Sequence, residues 1–325
     1  MSLQESENAA DPETDTLSCT ATADLIRALP KTRGWLTPFS YKYQNFWCPP
    51  KEIQAIINFQ THFKSQPSDI IISTVPKSGT TWLKALLYAT VNRTRFQIGS
   101  ESHPLLLSNS HDLVPFFEYQ LYWNGVVPDV DHFEQPRVFA THVPYPSLPD
   151  SIRTGAKIVY LCRNPLDTFT SMWHFIKNVR QNGDGLTIEE AFDMFCNGIV
   201  VFGPFWDHML GYWKQSIVNP DRVMFLKYED LKDDVVSVIL KLGEFLGTGF
   251  MAESEAAEIA KLCSFGNLKE LEANKTGKLI GVFENRSLFR KGEVGDWVNY
   301  LSPEMGERMR LVVEEKLGGS GLSFC

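Results

Sequence analysis

Apolar residues fall into four short blocks, separated by longer stretches with helical spacing. The first, Asp69–Val75 (DIIISTV), is β-branched and too short for a helix, so it predicts a buried strand. It runs through PKSGTTW into WLKALLYATVN, where apolar positions return with a helix period. Val138–Val143 (VFATHV) predicts a second strand and Lys157–Cys162 (KIVYLC) a third. The third leads through Arg163-Asn164-Pro165 into the helix LDTFTSMWHFIK; Pro165 suits the first helical turn, where a missing N–H costs nothing. Arg222–Tyr228 (RVMFLKY) predicts a fourth strand, followed by a helix over Asp234–Leu246, and Pro303–Leu317 reads as a closing helix. Strands alternating with helices imply an α/β fold with a mainly parallel central sheet and helices on both faces. Functional groups then belong at the carboxyl ends of the strands.

Residues 1–26 carry six acidic residues and no Lys or Arg, with little apolar patterning, so they read as an acidic, disordered tail. No linker or repeat divides the remainder, and 27–325 reads as one domain. Of 325 residues, 43% are hydrophobic and 22% charged, which is the composition of a globular chain. With 31 basic and 39 acidic residues the net charge is −8, which argues against nucleic-acid binding but leaves room for a local basic pocket. No apolar run reaches the ~20 residues of a membrane span. The N-terminus lacks the basic and apolar regions of a secretory signal. The expected compartment is therefore the cytoplasm, with the six scattered cysteines reduced. None of the seven histidines pairs with another at i+3 or i+4, so no metal is expected.

Chemistry concentrates in four places. In Pro76-Lys77-Ser78-Gly79-Thr80-Thr81-Trp82, Gly79 allows the backbone to curl its N–H groups onto an anion. Ser78, Thr80 and Thr81 add hydroxyl donors, Lys77 adds a cation, and the following helix adds its positive end. The loop is related to GxxxxGK[ST] but differs from it: its Lys precedes the Gly and the first Gly is missing. Arg163, at a strand end, and Ser171, on the next helix, could bracket a second phosphate, although an Arg at such a place is commonly a surface residue. Arg290-Lys291-Gly292, before Gly295-Asp296-Trp297, reads either as a second anion clamp or as a solvated basic loop. His142 closes a strand and is a general-base candidate or a structural histidine.

Taken in this order, PKSGTTW at 76–82, THVPY at 141–145, CRNPLDTFTSMWHF at 162–175 and RKG…GDW at 290–297 resemble the cytosolic sulfotransferase family, in its soluble plant branch. The resemblance covers residues 30–325. It implies a P-loop-like strand–loop–helix for the 5′-phosphosulfate of 3′-phosphoadenosine 5′-phosphosulfate (PAPS), a hydroxyl acceptor, PAP as product, and no metal. By position it makes His142 the catalytic base and Lys77 the cation on the leaving group. Lys77, Ser78, Gly79, Thr80 and Thr81 match the phosphosulfate loop, and Trp82 the adenine stack. Arg163, Ser171 and Arg290-Lys291-Gly292 match the 3′-phosphate clamps. Tyr228, Ser264 and Phe265 match further nucleotide contacts.

For the acceptor, Trp47, Phe116, Phe117, Tyr119, Trp123 and Phe175 suggest an apolar slot, and each could equally be a core residue. KEIQAIINFQ, HDLVPFFEYQLYWNG and ENRSLFRKGEV resemble the hydroxyjasmonate sulfotransferases; flavonol, brassinosteroid and desulfoglucosinolate enzymes of plant secondary metabolism share the frame. Two positions depart from the animal pattern. Ala140 stands where many members have a Lys, and Val298–Glu307 keeps only Glu307 of the dimer motif KxxxTVxxxE, so a monomer is expected. Two rival classes stay open: a phosphoryl transferase that binds ATP with Mg²⁺, and a module that binds nucleotide without reaction.

Overall fold

The computed structural model describes residues 20–180, 185–249 and 251–324. Most of the acidic tail, 1–19, lies outside the described residues. Residues 20–26, which composition places in the tail, instead form most of a helix, Thr20–Arg27, that buries Ala23 and Ile26. A small antiparallel sheet follows, made of β1 (Lys31–Arg33), β2 (Phe39–Tyr43) and β3 (Phe46–Cys48), and then helix α1 (Pro50–His62).

The centre is a four-stranded parallel sheet of β4 (Ile70–Thr74), β5 (Val138–Thr141), β6 (Lys157–Cys162) and β7 (Val223–Lys227), in the order β5-β4-β6-β7. Ile71 faces one core with Phe139 and Ile158, while Ile70 and Ile72 face the other with Val138, Ala140 and Val159. Both faces are covered, which is why these strands read as unbroken apolar runs. All four strands expected from the sequence are present and parallel, each within two residues of its expected limits.

Helices α2 (Thr80–Asn92), α3 (Pro165–Val179), α4 (Phe205–Val218), α5 (Val235–Leu246), α6 (Glu253–Leu262) and α7 (Pro303–Leu317) flank the sheet. Pro165 opens α3 as expected, and Asp234 caps α5 by accepting from the Ser237 N–H at 3.0 Å. Because β4 connects to β5 on one side and its neighbour β6 connects to β7 on the other, the chain leaves these two adjacent strands in opposite directions, and a crevice opens at their carboxyl ends. The four strand ends deliver the loop from Val75 to Gly79, then His142, Arg163 and Tyr228, into that crevice.

Candidate active site

The loop after β4 is bent by two left-handed residues, Lys77 (φ 70°) and Gly79 (φ 105°). A Cβ at Gly79 would stand 2.7 Å from a Tyr228 ring carbon, so glycine is required both by conformation and by space. Lys77 is held in a conformation that non-glycine residues rarely adopt, as happens at ligand-gripping turns. The Thr74 and Thr80 hydroxyls, 2.7 Å apart, clip the two ends of the loop together. The Lys77 Nζ sits 4.0 Å from the Phe175 ring centre, and among the described residues no carboxylate pairs with it. Burial first, and then Arg163 and Arg290, hold its pKa down to about 7.

His142 follows directly after β5. Its Nδ1 lies 2.8 Å from the Thr74 carbonyl oxygen and 3.1 Å from the Thr74 hydroxyl. A carbonyl only accepts, so Nδ1 carries the hydrogen and Nε2 is left as a lone pair, with no partner among the described residues. Burial lowers its pKa to about 3, against the contrary pull of the Thr74 bond, so the ring is neutral at working pH. Glu118 sets its backbone: one carboxylate oxygen accepts from the His142 N–H at 2.6 Å and the other from the Thr141 hydroxyl at 2.9 Å. His208 Nε2 contacts the His142 carbonyl at 2.8 Å. Glu118 belongs to a single π-type turn, Phe117–Leu121, which turns it inward and leaves Tyr119 facing His142 at 6.0 Å.

Three further cationic side chains, on two loops, face the same space. Arg163 is buried, lies over the Tyr228 ring at 4.5 Å, and donates to the Glu293 carbonyl. Asp167 accepts from the backbone N–H groups of Gly295 and Trp297, at 2.7 and 3.1 Å, and so ties the last loop to α3. On that loop Asp296 pairs with Arg290 and Lys291, each at 2.6 Å. Burial raises the Asp296 pKa, but the bonds from Lys291, Arg290 and Asn299 outweigh it and hold the carboxyl at about 2. A Cβ on Gly292 (φ 68°) would meet the Phe265 ring at 2.6 Å, which again requires glycine.

Lys77, His142, Arg163, Arg290 and Lys291 line one cavity. Of the residues singled out in the sequence, it gathers Lys77, Gly79, Thr80, Thr81, Trp82, Phe116, Tyr119, His142, Arg163, Ser171, Phe175, Tyr228, Phe265, Arg290, Lys291 and Gly292. Five do not line it. Ser78 is buried beneath the loop. Ser264 caps the helix Phe265–Glu270, accepting from the Asn267 N–H at 3.3 Å. Phe117 is a core residue, stacked on Phe59 at 4.1 Å; the π-type turn sends it away from Phe116. Trp47 is held at a backbone bridge to Val201, and Trp123 packs behind Tyr119 at 6.0 Å. Glu118, His111 and Lys84 also belong to this region, and no sequence motif marks them. A Glu inside the apolar run PFFEYQLYW was the available signal.

Three buried N–H groups of residues that line this cavity have no partner among the described residues: Trp82 Nε1, Arg163 Nε and Arg290 Nε. Unpartnered buried polar groups are rare in native proteins, and these are donors beside a cluster of cations, so the set fits a polyanionic ligand. Among the described residues no group of three or more His, Cys, Asp or Glu is placed to hold a metal ion, and no helix is long and apolar enough to cross a membrane. A neutral imidazole with a free nitrogen, facing a cluster of cations, is equipped to take a proton while negative charge is released nearby.

Residues 67–321 match the sulfotransferase domain family. The chain is 53% identical over 320 residues to cytosolic sulfotransferase 15 of Arabidopsis thaliana, covering 96% of this chain and 89% of that one. Its fold superposes on a putative steroid sulphotransferase of Arabidopsis thaliana with a TM-score of 0.77 at 40% identity, covering 93% and 94% of the two chains. Mouse sulfotransferase SULT7A1 complexed with PAP is similar at 26% identity and a TM-score of 0.68, with 86% and 95% covered. The architecture, the cavity at the strand ends and these likenesses agree, and the chain belongs to the sulfotransferase family, in its plant cytosolic branch, as an enzyme of that class.

Proposed function

We propose that the enzyme transfers a sulfuryl group from PAPS to the hydroxyl of a small plant metabolite, with hydroxyjasmonate as the acceptor, and releases PAP in the cytoplasm as a monomer. The observation that carries this reading is the meeting, in one cavity, of His142 with Nε2 free and of four cationic side chains set by three different loops. Bound PAPS would supply a sulfuryl group on a phosphate leaving group. Lys77 and the loop from Ser78 to Thr81 would hold the phosphosulfate end, while Trp82, Tyr228 and Phe265 would flank the adenine. Arg163, Ser171, Arg290 and Lys291, with the Gly292 backbone, would hold the 3′-phosphate. Ser264 contributes through the helix it caps.

In this scheme His142 Nε2 takes the acceptor's proton, and the Lys77 ammonium receives the negative charge that appears on the leaving side. Positioning and electrostatics provide the catalysis, since a loosely bonded transferring group needs little else from the protein. The acceptor lies beside His142, where Phe116, Tyr119, Phe175, Met172 and Val201 make an apolar wall. The likeness of three segments to hydroxyjasmonate enzymes supports that acceptor over flavonols, brassinosteroids and desulfoglucosinolates. Radiolabelled PAPS, supplied with each of these four acceptor classes, tests the reading. Preferred labelling of hydroxyjasmonate is expected; labelling of another class alone replaces the acceptor, and labelling of none removes the proposed reaction.

A further inference from the structure

Helix α2 carries a lysine that the scheme above does not use. Lys84 is fully buried, one turn after the phosphosulfate loop. Its Nζ lies 2.9 Å from His111 Nδ1 and 3.3 Å from the centre of the Phe116 ring. His111 is itself buried, and its Nε2 lies 2.9 Å from the Thr81 hydroxyl. The ring is fixed in place: Asn109 accepts from the His111 N–H at 2.8 Å, Gln120 donates to its carbonyl at 3.1 Å, and Phe116 stacks on it at 5.3 Å. His111 and Thr81 both reach the cavity.

We propose that Lys84 and His111 are positioning residues that aim the hydroxyl proton of Thr81 into the cavity, toward the anionic oxygens of the donor. The identity of that anion rests on the sulfotransferase reading; the direction of the relay is a property of the protein alone. In its ammonium form Lys84 donates and cannot accept, which makes His111 Nδ1 the acceptor. A neutral imidazole then carries its hydrogen on Nε2 and donates it to the Thr81 oxygen. With that oxygen already accepting from His111, the single hydroxyl hydrogen is free for the cavity. Each bond polarises the next, so the Thr81 hydroxyl becomes a stronger donor than an isolated one.

The opposite arrangement is distinguishable. A neutral amine accepting from Nδ1–H would make Nε2 an acceptor, and Thr81 would commit its proton to His111. Only lone pairs would then face the anion, and binding would suffer. Burial outweighs the carboxylates of Glu118 and Asp112 and holds the Lys84 pKa well below the usual lysine range, and the neutral amine it favours still has N–H groups to donate to His111 Nδ1. An anion beside Thr81 adds to the pull of the carboxylates.

Nuclear magnetic resonance of the ligand-free enzyme, with isotope-labelled histidine, reads the direction. The expected result is hydrogen on His111 Nε2, with a shift toward a mixture in Lys84→Met. Hydrogen on Nδ1 in the wild type overturns the proposal, whatever reaction the enzyme performs. A double-mutant cycle supplies the functional arm. Lys84→Met is expected to lower kcat about 10- to 30-fold with the acceptor KM unchanged, since it weakens a donor to developing charge indirectly. In a Thr81→Val background, where the relay ends on a missing hydroxyl, the same substitution is expected to cost less than about twofold. An equal loss in both backgrounds overturns the relay. Should Lys84→Met fail to fold, the wild-type tautomer still decides, together with Thr81→Ser, which keeps the hydroxyl and is expected to retain more activity than Thr81→Val. Absence of any sulfuryl transfer by the wild type removes the proposed function and leaves the tautomer result standing on its own.

Discussion

The Thr74 carbonyl oxygen stands 2.8 Å from His142 Nδ1, and this contact decides which ring nitrogen can act. Thr74 is the last residue of β4 and His142 follows the end of β5, so the tautomer is set by the pairing of two neighbouring strands. The His142 ring is therefore oriented by the sheet and not by a mobile side chain.

Replacing His142 with Ala is expected to lower kcat by about 10²–10⁴-fold, the usual contribution of a positioned general base. PAP affinity, measured by calorimetry, should be nearly unchanged, because the cations lie on other loops. A variant that keeps a tenth or more of wild-type turnover would show that His142 is not the base.

Lys77 gives the enzyme a pH dependence. Its pKa is near 7 in the ligand-free protein against an ordinary 10.5, so between these values the unfolded chain holds a proton that the native state lacks. Native stability gains from this group as pH rises through that window. Nucleotide binding has the opposite sign. An anion needs the ammonium, so above pH 7 binding must take up a proton, and affinity falls by up to about tenfold per pH unit. Calorimetry of PAP binding at pH 8, in buffers of different ionisation enthalpy, should register uptake approaching one proton. Proton-neutral binding there would rule out Lys77 as the titrating group.

Arg163 is held by the Glu293 carbonyl and lies against Tyr228, yet its Nε has no partner among the described residues. Arg163→Ala is expected to weaken PAP binding about 10- to 100-fold, as for loss of a charge-assisted hydrogen bond. Affinity for the same nucleotide lacking its 3′-phosphate should barely change. Equal losses for both nucleotides would move Arg163 away from the 3′-phosphate.

The sheet could be read from the chain because burial on both faces writes runs such as IIIST without interruption. The loop between β4 and α2 could be read because its glycine and hydroxyls are contiguous. By contrast, β1 is Lys-Thr-Arg, a stretch whose strand character comes only from pairing with Phe39–Tyr43. Phe116 and Phe117 look alike in sequence, and only the π-type turn separates a cavity wall from a core residue. Lys84 occupies what looks like a polar position on an amphipathic helix, and its burial depends on His111, 27 residues away. Side chains whose partners lie far along the chain leave no local pattern to read.

Glu118 illustrates that last point and yields a sharp test. Its pKa is raised to about 7 from 4.5, chiefly by burial, with the bonds from the Glu118 and His142 N–H groups and Thr141 pulling the other way. Between these values the native state holds a proton that the unfolded chain has released. Stability from this group is thus full below about pH 4.5 and is lost as pH rises through 7. Glu118→Gln cannot ionise and lacks that loss. Its amide resembles the protonated acid: the oxygen accepts from the His142 N–H, and the NH2 faces the Thr141 hydroxyl, which has a lone pair to accept. The variant is expected to melt close to the wild type at pH 5 and above it by pH 8. Its kcat and PAP affinity should be preserved, since His142 keeps its backbone anchor. Melting curves at the two pH values check the first expectation. A gap that stays constant with pH would mean that Glu118 is ionised throughout, as a permanent counter-charge to Lys84.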